Sequence, residues 1–186
     1  MAAKISILGF AGSMRQGSYN RALLRAALEV VPPEAELAIF DLEGIPPFNQ
    51  DLEDQPVAKV KEFKAQIKAA DALLIATPEY NYSMPGVLKN AIDSASRPPG
   101  DNAFADKPVA IMGASIGMLG TGRAQYHLRQ SCVFLNMYPL NQPEVMVPFA
   151  QEKIDPKGRV TDPKTREKIK ELLESLVAWT RRLRGY

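Results

Sequence analysis

The chain has 186 residues, 46% of them hydrophobic and 24% charged, and its 23 Lys and Arg against 21 Asp and Glu leave a formal net charge of +2. One domain covering 1–186 accommodates that length, and so small a charge excludes nucleic acid as the expected partner. Cys132 is the single cysteine, so no intramolecular disulfide is expected; no apolar run reaches the ~18 residues of a membrane span or forms a secretory signal, which makes the cytoplasm the expected compartment.

The first element is KISILGF (4–10), a short run rich in Ile and Leu without strict alternation, as a strand covered on both faces should be. A helical pattern follows at 20–31, then a strand at 36–42 and a proline-rich loop over 43–56 with the character of an interaction surface. Next come a helix at 56–69, a strand at 70–77, a helix at 86–96, a strand at 107–115, a helix at 123–135 and a fifth strand within 143–149. The last helix spans 162–185. Asp162 can cap it and Pro163 suits its first position, while Ile169, Leu172, Leu173, Leu176, Val177 and Leu183 form one apolar stripe. The basic end RRLRGY complements the helix dipole.

Strand then helix, repeated, predicts parallel strands with crossovers. The expected fold is an α/β three-layer doubly wound domain with a five-stranded sheet in the order 2-1-3-4-5. In that order strands one, three and four are neighbours, so the loops that follow them converge on one crevice at their carboxyl ends.

Those loops carry the dense polar and glycine content. In GSMRQGSYN (12–20), Gly12 and Gly17 stand at the spacing of a triphosphate-binding loop, but Ser18 occupies the place of its lysine. Ser13, Arg15, Ser18 and Asn20 supply donors at the mouth of a helix, which suits a phosphate that is held and not transferred. PEYNYSMPG (78–86) sets Glu79, Tyr80, Asn81 and Tyr82 between two prolines, a stiff frame suited to a flat heteroaromatic ring. The third loop is ASIGMLGTGR (114–123).

Two rival readings fit less well. GASIG (113–117) matches a hydrolase nucleophile elbow, but the only histidine, His127, lies in the helix that directly follows, with no acid between them. A dinucleotide fold would need G-x-G-x-x-G after strand one, which is missing, although Asp41 could mimic its ribose-binding acid.

The three loops together, GSMRQGSYNRAL, PEYNYSMPGVLKNAIDSASRP and GASIGMLGTGRAQYHLRQ, resemble those of the NADPH-dependent FMN reductase family, in its chromate and quinone reductase branch. The resemblance implies a flavodoxin-like domain that binds FMN without a covalent link and uses NADPH or NADH as co-substrate. It implies that Ser13, Arg15, Ser18 and Asn20 hold the FMN phosphate, that Tyr19 also binds the cofactor, that Pro78, Glu79, Tyr80, Asn81 and Tyr82 run along the ring and ribityl, and that Ser115, Ile116 and Gly117 flank the ring. No residue is expected to be catalytic in its own right, and no metal is expected. The implied acceptor is a small molecule: a quinone, with chromate, ferric or azo compounds or free flavin as further possibilities. An FMN-binding electron carrier or redox sensor is the alternative, which the weak net charge disfavours. The resemblance also implies a homodimer or homotetramer with FMN near the interface; Arg97, Arg123, Tyr126 and Arg129 suit a subunit interface, the NADPH phosphate site or a plain solvated face.

Overall fold

In the computed structural model, which describes residues 4–185, strands and helices alternate from the first element as far as Phe134. They are β1 (Ile5–Ala11), α1 (Tyr19–Glu29), β2 (Ala35–Phe40), α2 (Ala58–Ala69), β3 (Ala72–Ala76), α3 (Gly86–Ala95), β4 (Pro108–Ala114), α4 (Gly122–Phe134), β5 (Tyr138–Pro139), β6 (Val145–Val147), α5 (Ala150–Lys153) and α6 (Pro163–Arg184). A single 3₁₀ turn, Gln50–Leu52, interrupts the proline-rich loop. The sheet is parallel in the order β2-β1-β3-β4-β5, with β6 also paired to β4.

The expected fifth strand is therefore two pieces. β5 pairs with the start of β4 (Pro108↔Tyr138) and β6 with its end (Met112↔Val145 to Ala114↔Val147). Pro139 and Pro143 have no N–H to give to a ladder, so a continuous edge strand cannot form across them.

Side chains alternate between two cores because successive strand residues point to opposite faces. Ile7, Leu74, Ala110 and Met112 face the α1–α6 layer, where they meet Leu23, Leu172 and Leu176. Leu8, Phe10, Leu73, Ile75 and Ile111 face α2, α3 and α4. The second core is organised by Phe63, whose ring lies edge-on to Phe10 at 5.2 Å and stacked on Phe40 at 4.8 Å. Cys132 is buried in it, and burial pushes its thiol up to about 11.

α6 starts as expected: Asp162 accepts from the Thr165 N–H at 2.8 Å, and Pro163 occupies the first turn. Its stripe is buried through Val177, but Leu183 is exposed, because at 22 residues this helix outruns the sheet it covers. Trp179 donates its Nε1–H to the Tyr138 carbonyl at 3.0 Å and so ties α6 to β5.

Candidate active site

Hydrogen bonds of the sheet continue one step past the strand ends and stitch the three loops together. Gly12 N–H donates to Ala76 O at 2.9 Å, Thr77 N–H to Met112 O at 2.9 Å, and Ser115 N–H to Val147 O at 3.1 Å. Side chains are excluded where the loops meet. A Cβ on Gly113 would collide with Thr121 Oγ1 and come within 2.5 Å of Thr77 O, and one on Gly12 would lie 2.9 Å from Leu88 Cβ.

Loop 1 is an anion cradle. Ser18 is the N-cap of α1, its Oγ facing the Arg21 N–H at 3.4 Å, and the Ser13 and Ser18 side chains are buried. The N–H groups of Met14, Gln16, Gly17 and Tyr19 donate to no acceptor among the described residues. Arg15 is exposed, bonded to Gly17 O at 2.7 Å and seated 5.3 Å from the centre of the Tyr19 ring. Unpartnered N–H groups, two hydroxyls and a guanidinium at a helix N-terminus are the donor set that a phosphate dianion needs. Asn20 is placed differently: its amide exchanges two hydrogen bonds with the backbone of Ala114, at 2.9 and 3.0 Å. It locks α1 to the end of β4 and contributes to the cradle by position.

Loop 2 is a hairpin turn. Tyr80 and Ser83 exchange backbone bonds at 3.0 and 2.9 Å, and the two residues between them, Asn81 and Tyr82, have φ of 50° and 66°. A two-residue turn of this hand requires positive φ at both central positions. The turn is anchored on α4. Glu79 Oε2 accepts from the N–H groups of Arg123 and Ala124 at 3.1 and 3.3 Å, and its Oε1 accepts from Arg123 Nε at 2.6 Å. The Arg123 guanidinium stacks 3.5 Å over the Tyr82 ring, and Ser83 Oγ lies 2.9 Å from His127 Nδ1. Pro78 is buried, while Tyr80 and Tyr82 stand open to solvent.

Loop 3 runs from Ser115 through Ile116 and Gly117 to the αL residue Thr121 that starts α4. Ile116 and Met118 are 66% and 72% exposed, which gives this side of the crevice an apolar rim. Ser115 Oγ bonds to Gly117 O at 3.3 Å and His127 to Ser83, so serine and histidine are engaged elsewhere and no hydrolase pair forms.

Phe149 is a residue that sequence reasoning missed. Its φ is 52°, its side chain is 42% exposed, and the N–H of the next residue bonds to Ser115 O at 3.0 Å. Of the six non-glycine residues with positive φ among those described, Asn81, Tyr82 and Phe149 stand exposed beside this crevice and Thr121 is buried behind it, the kind of strain that gathers at functional sites. Nothing in the local sequence marks a phenylalanine for that conformation. A separate apolar pocket of about 460 Å³ lies under the proline-rich loop, lined by Phe48, Leu52, Val57 and Val60, and shares no residue with the three loops.

The remaining candidates are spread around α4. Arg129 donates to Leu140 O at 2.8 Å and Tyr126 to Glu144 at 2.9 Å, while Arg97 lies apart, its carbonyl bonded by Lys64.

A doubly wound parallel sheet with a lysine-free phosphate cradle and a stiff aromatic turn at the ends of β1 and β3 defines a flavodoxin-like, flavin-binding oxidoreductase. The family model for NADPH-dependent FMN reductase matches residues 5–152, and the chain belongs to that family. It is 56% identical over its whole length to an NAD(P)H-dependent FMN reductase of Pseudomonas aeruginosa, which is covered in full. It is 41% identical to the 2-hydroxy-1,4-benzoquinone reductase of a Burkholderia species, covering 97% of this chain and 98% of that protein. Among solved structures, the flavoenzyme NAD(P)H:(acceptor) oxidoreductase FerB of Paracoccus denitrificans superposes with a TM-score of 0.87 at 31% identity, over 96% of this chain and 98% of that one.

Proposed function

We propose that the chain is a single-domain FMN-dependent NAD(P)H oxidoreductase that delivers two electrons to quinones, with chromate, ferric or azo compounds and free flavin as further acceptors. The observation that carries the reading is the convergence of the orphan N–H cradle of loop 1 with the strained turn of loop 2 and the apolar rim of loop 3. FMN, when bound, supplies the hydride chemistry.

The protein's own part is to bind, orient and leave one side open. Ser13, Arg15, Ser18 and the N–H groups of Met14, Gln16, Gly17 and Tyr19 hold the phosphate, with Asn20 fixing the helix that presents them. Pro78 to Tyr82 and Ser115 to Gly117 flank the ring, where the N–H groups of Asn81, Ile116 and Gly117, free of acceptors among the described residues, face developing negative charge. Glu79 is committed to α4 and His127 to Ser83, so these two are not free acids and solvent protonates the reduced acceptor.

Among the described residues no helix is long and apolar enough to cross a membrane, and a lone buried thiol suits the reducing cytoplasm. Tyr126, Val133 and Phe134 are exposed on α4, which supports a homodimer or homotetramer that covers them.

The test is to load the protein with FMN, remove free flavin, and record the visible spectrum before and after NADPH or NADH without oxygen. A retained spectrum that bleaches is the expected result. Retained flavin that neither nucleotide bleaches would make this an electron carrier or redox sensor, and loss of flavin on desalting would overturn the phosphate cradle.

A further inference from the structure

A second crevice, partly open to solvent, adjoins the phosphate cradle on the side away from loops 2 and 3. It lies between α1 and the edge strand β2 and is lined by Ala11, Ser13, Arg21, Leu24, Arg25, Ile39, Phe40 and Asp41. Its chemistry is mixed in an ordered way. Asp41, at the end of β2, pairs with Arg21 through one guanidinium nitrogen, while the other, Nη1, is buried with no partner. A buried guanidinium N–H without an acceptor is unfavourable, so an anion that reaches it is favoured. Arg25, one turn along, is held at the wall by Gly158 O at 3.2 Å. The 41% exposed Ile39 supplies an apolar face, backed by the buried Leu24.

Asp41 Oδ1 accepts from the Glu43 N–H at 3.1 Å and Oδ2 from Arg21, which leaves lone pairs on both for ribose hydroxyls; with two guanidinium groups for phosphate and an apolar face for a base, the lining describes a nucleoside phosphate. Ser13 lines this crevice and also the phosphate cradle, so the two sites share a wall. We propose that the crevice receives an adenosine phosphate moiety, so that a flavin phosphate held in loop 1 can carry an adenylyl extension and the protein accepts FAD as well as FMN. This rests on the flavin reading of loop 1. The same chemistry could arrive as the adenosine half of NADPH, and the experiment separates the two sources.

Flavin-free protein is titrated calorimetrically with FMN, FAD and 5′-AMP, and NADPH turnover is measured on the FMN-loaded enzyme. Each measurement is made for the wild type and for Arg25→Ala and Ile39→Glu, the second replacing an exposed side chain so that folding is preserved. The expected result is FAD affinity within about tenfold of FMN affinity, weakened about tenfold or more by both variants while FMN affinity moves less than about twofold. If FAD is indifferent but both variants raise the KM for NADPH about tenfold at constant kcat, the crevice serves the nucleotide substrate, and the adenosine site stands with its source reassigned. If neither measurement moves, the inference is overturned. Should FMN itself not bind, the flavin reading has failed, and 5′-AMP decides separately: binding lost in both variants keeps the adenosine site, and no binding removes it.

Discussion

The carboxylate of Glu79 and the guanidinium of Arg123, 44 positions apart in the chain, form one joint: Glu79 accepts Arg123 Nε at 2.6 Å and also closes the N-terminus of α4. The same guanidinium stacks on Tyr82, so the ring-side loop is oriented from below by a helix that follows a different strand. Loops 2 and 3 are thereby braced on the same helix start, which is what an open, water-facing flavin site requires of its walls.

Glu79→Ala should therefore loosen both loops. Loss of an ion pair whose acid is largely buried, with two backbone N–H groups left uncapped, should lower stability by about 2–3 kcal/mol in urea denaturation. Arg123→Ala should cost less, about 1 kcal/mol, because the backbone cap remains. Both should weaken FMN retention on desalting; unchanged retention in both would mean that the joint does not position the flavin.

Asn20→Ala would leave the buried N–H and C=O of Ala114 without partners. A loss of about 2–3 kcal/mol is expected, seen as a thermal midpoint roughly 5–10 °C lower. Because the amide is bound to Ala114, flavin affinity measured well below that midpoint should fall less than in Ser18→Ala, which removes a cradle hydroxyl and the helix cap together.

Phe149→Asn places at φ 52° a residue that tolerates the left-handed region. Stability should rise by about 1 kcal/mol in chemical denaturation. If the exposed ring serves acceptors at the rim, KM for aromatic quinones should rise while the rate of flavin bleaching by NADPH stays unchanged. A variant that is no more stable would contradict the strain assigned to this position.

Burial raises the Cys132 thiol to about 11, above its ordinary value of 9.0. A raised acid pKa means that the folded state keeps its proton when the unfolded chain has lost it. The stabilisation is thus fully present below pH ~8.5 and is lost as pH climbs through 9 toward 11. Cys132→Ala should flatten that part of the stability–pH curve. In native protein at pH 8 the thiol should react with a disulfide reagent far more slowly than in urea, since the thiolate is the reactive form.

Much of the sheet was legible because its signals are local. The runs at 4–10, 36–42, 70–77 and 107–115 fall within two residues of β1 to β4 at each end, and the start of α6 follows from Asp162 and Pro163 as read. Buried parallel strands and capped helices are written in consecutive residues, and strand order then follows from the economy of right-handed crossovers. The phosphate cradle was legible for the same reason, since its donors lie within nine positions of one another.

By itself, then, the sequence determined the alternation of strand and helix, the order in which the strands assemble, and the three loops that must meet. The tertiary structure alone decided which side chains in those loops face the crevice. Asn20 turned to Ala114, 94 positions on, and Glu79 to Arg123, while Tyr82 and Phe149 were held at positive φ and one edge strand became β5 and β6. Each of these outcomes depends on a hydrogen-bond partner or a steric limit supplied by a distant segment, and a backbone conformation that its own residue disfavours can persist only where such distant partners over-determine it.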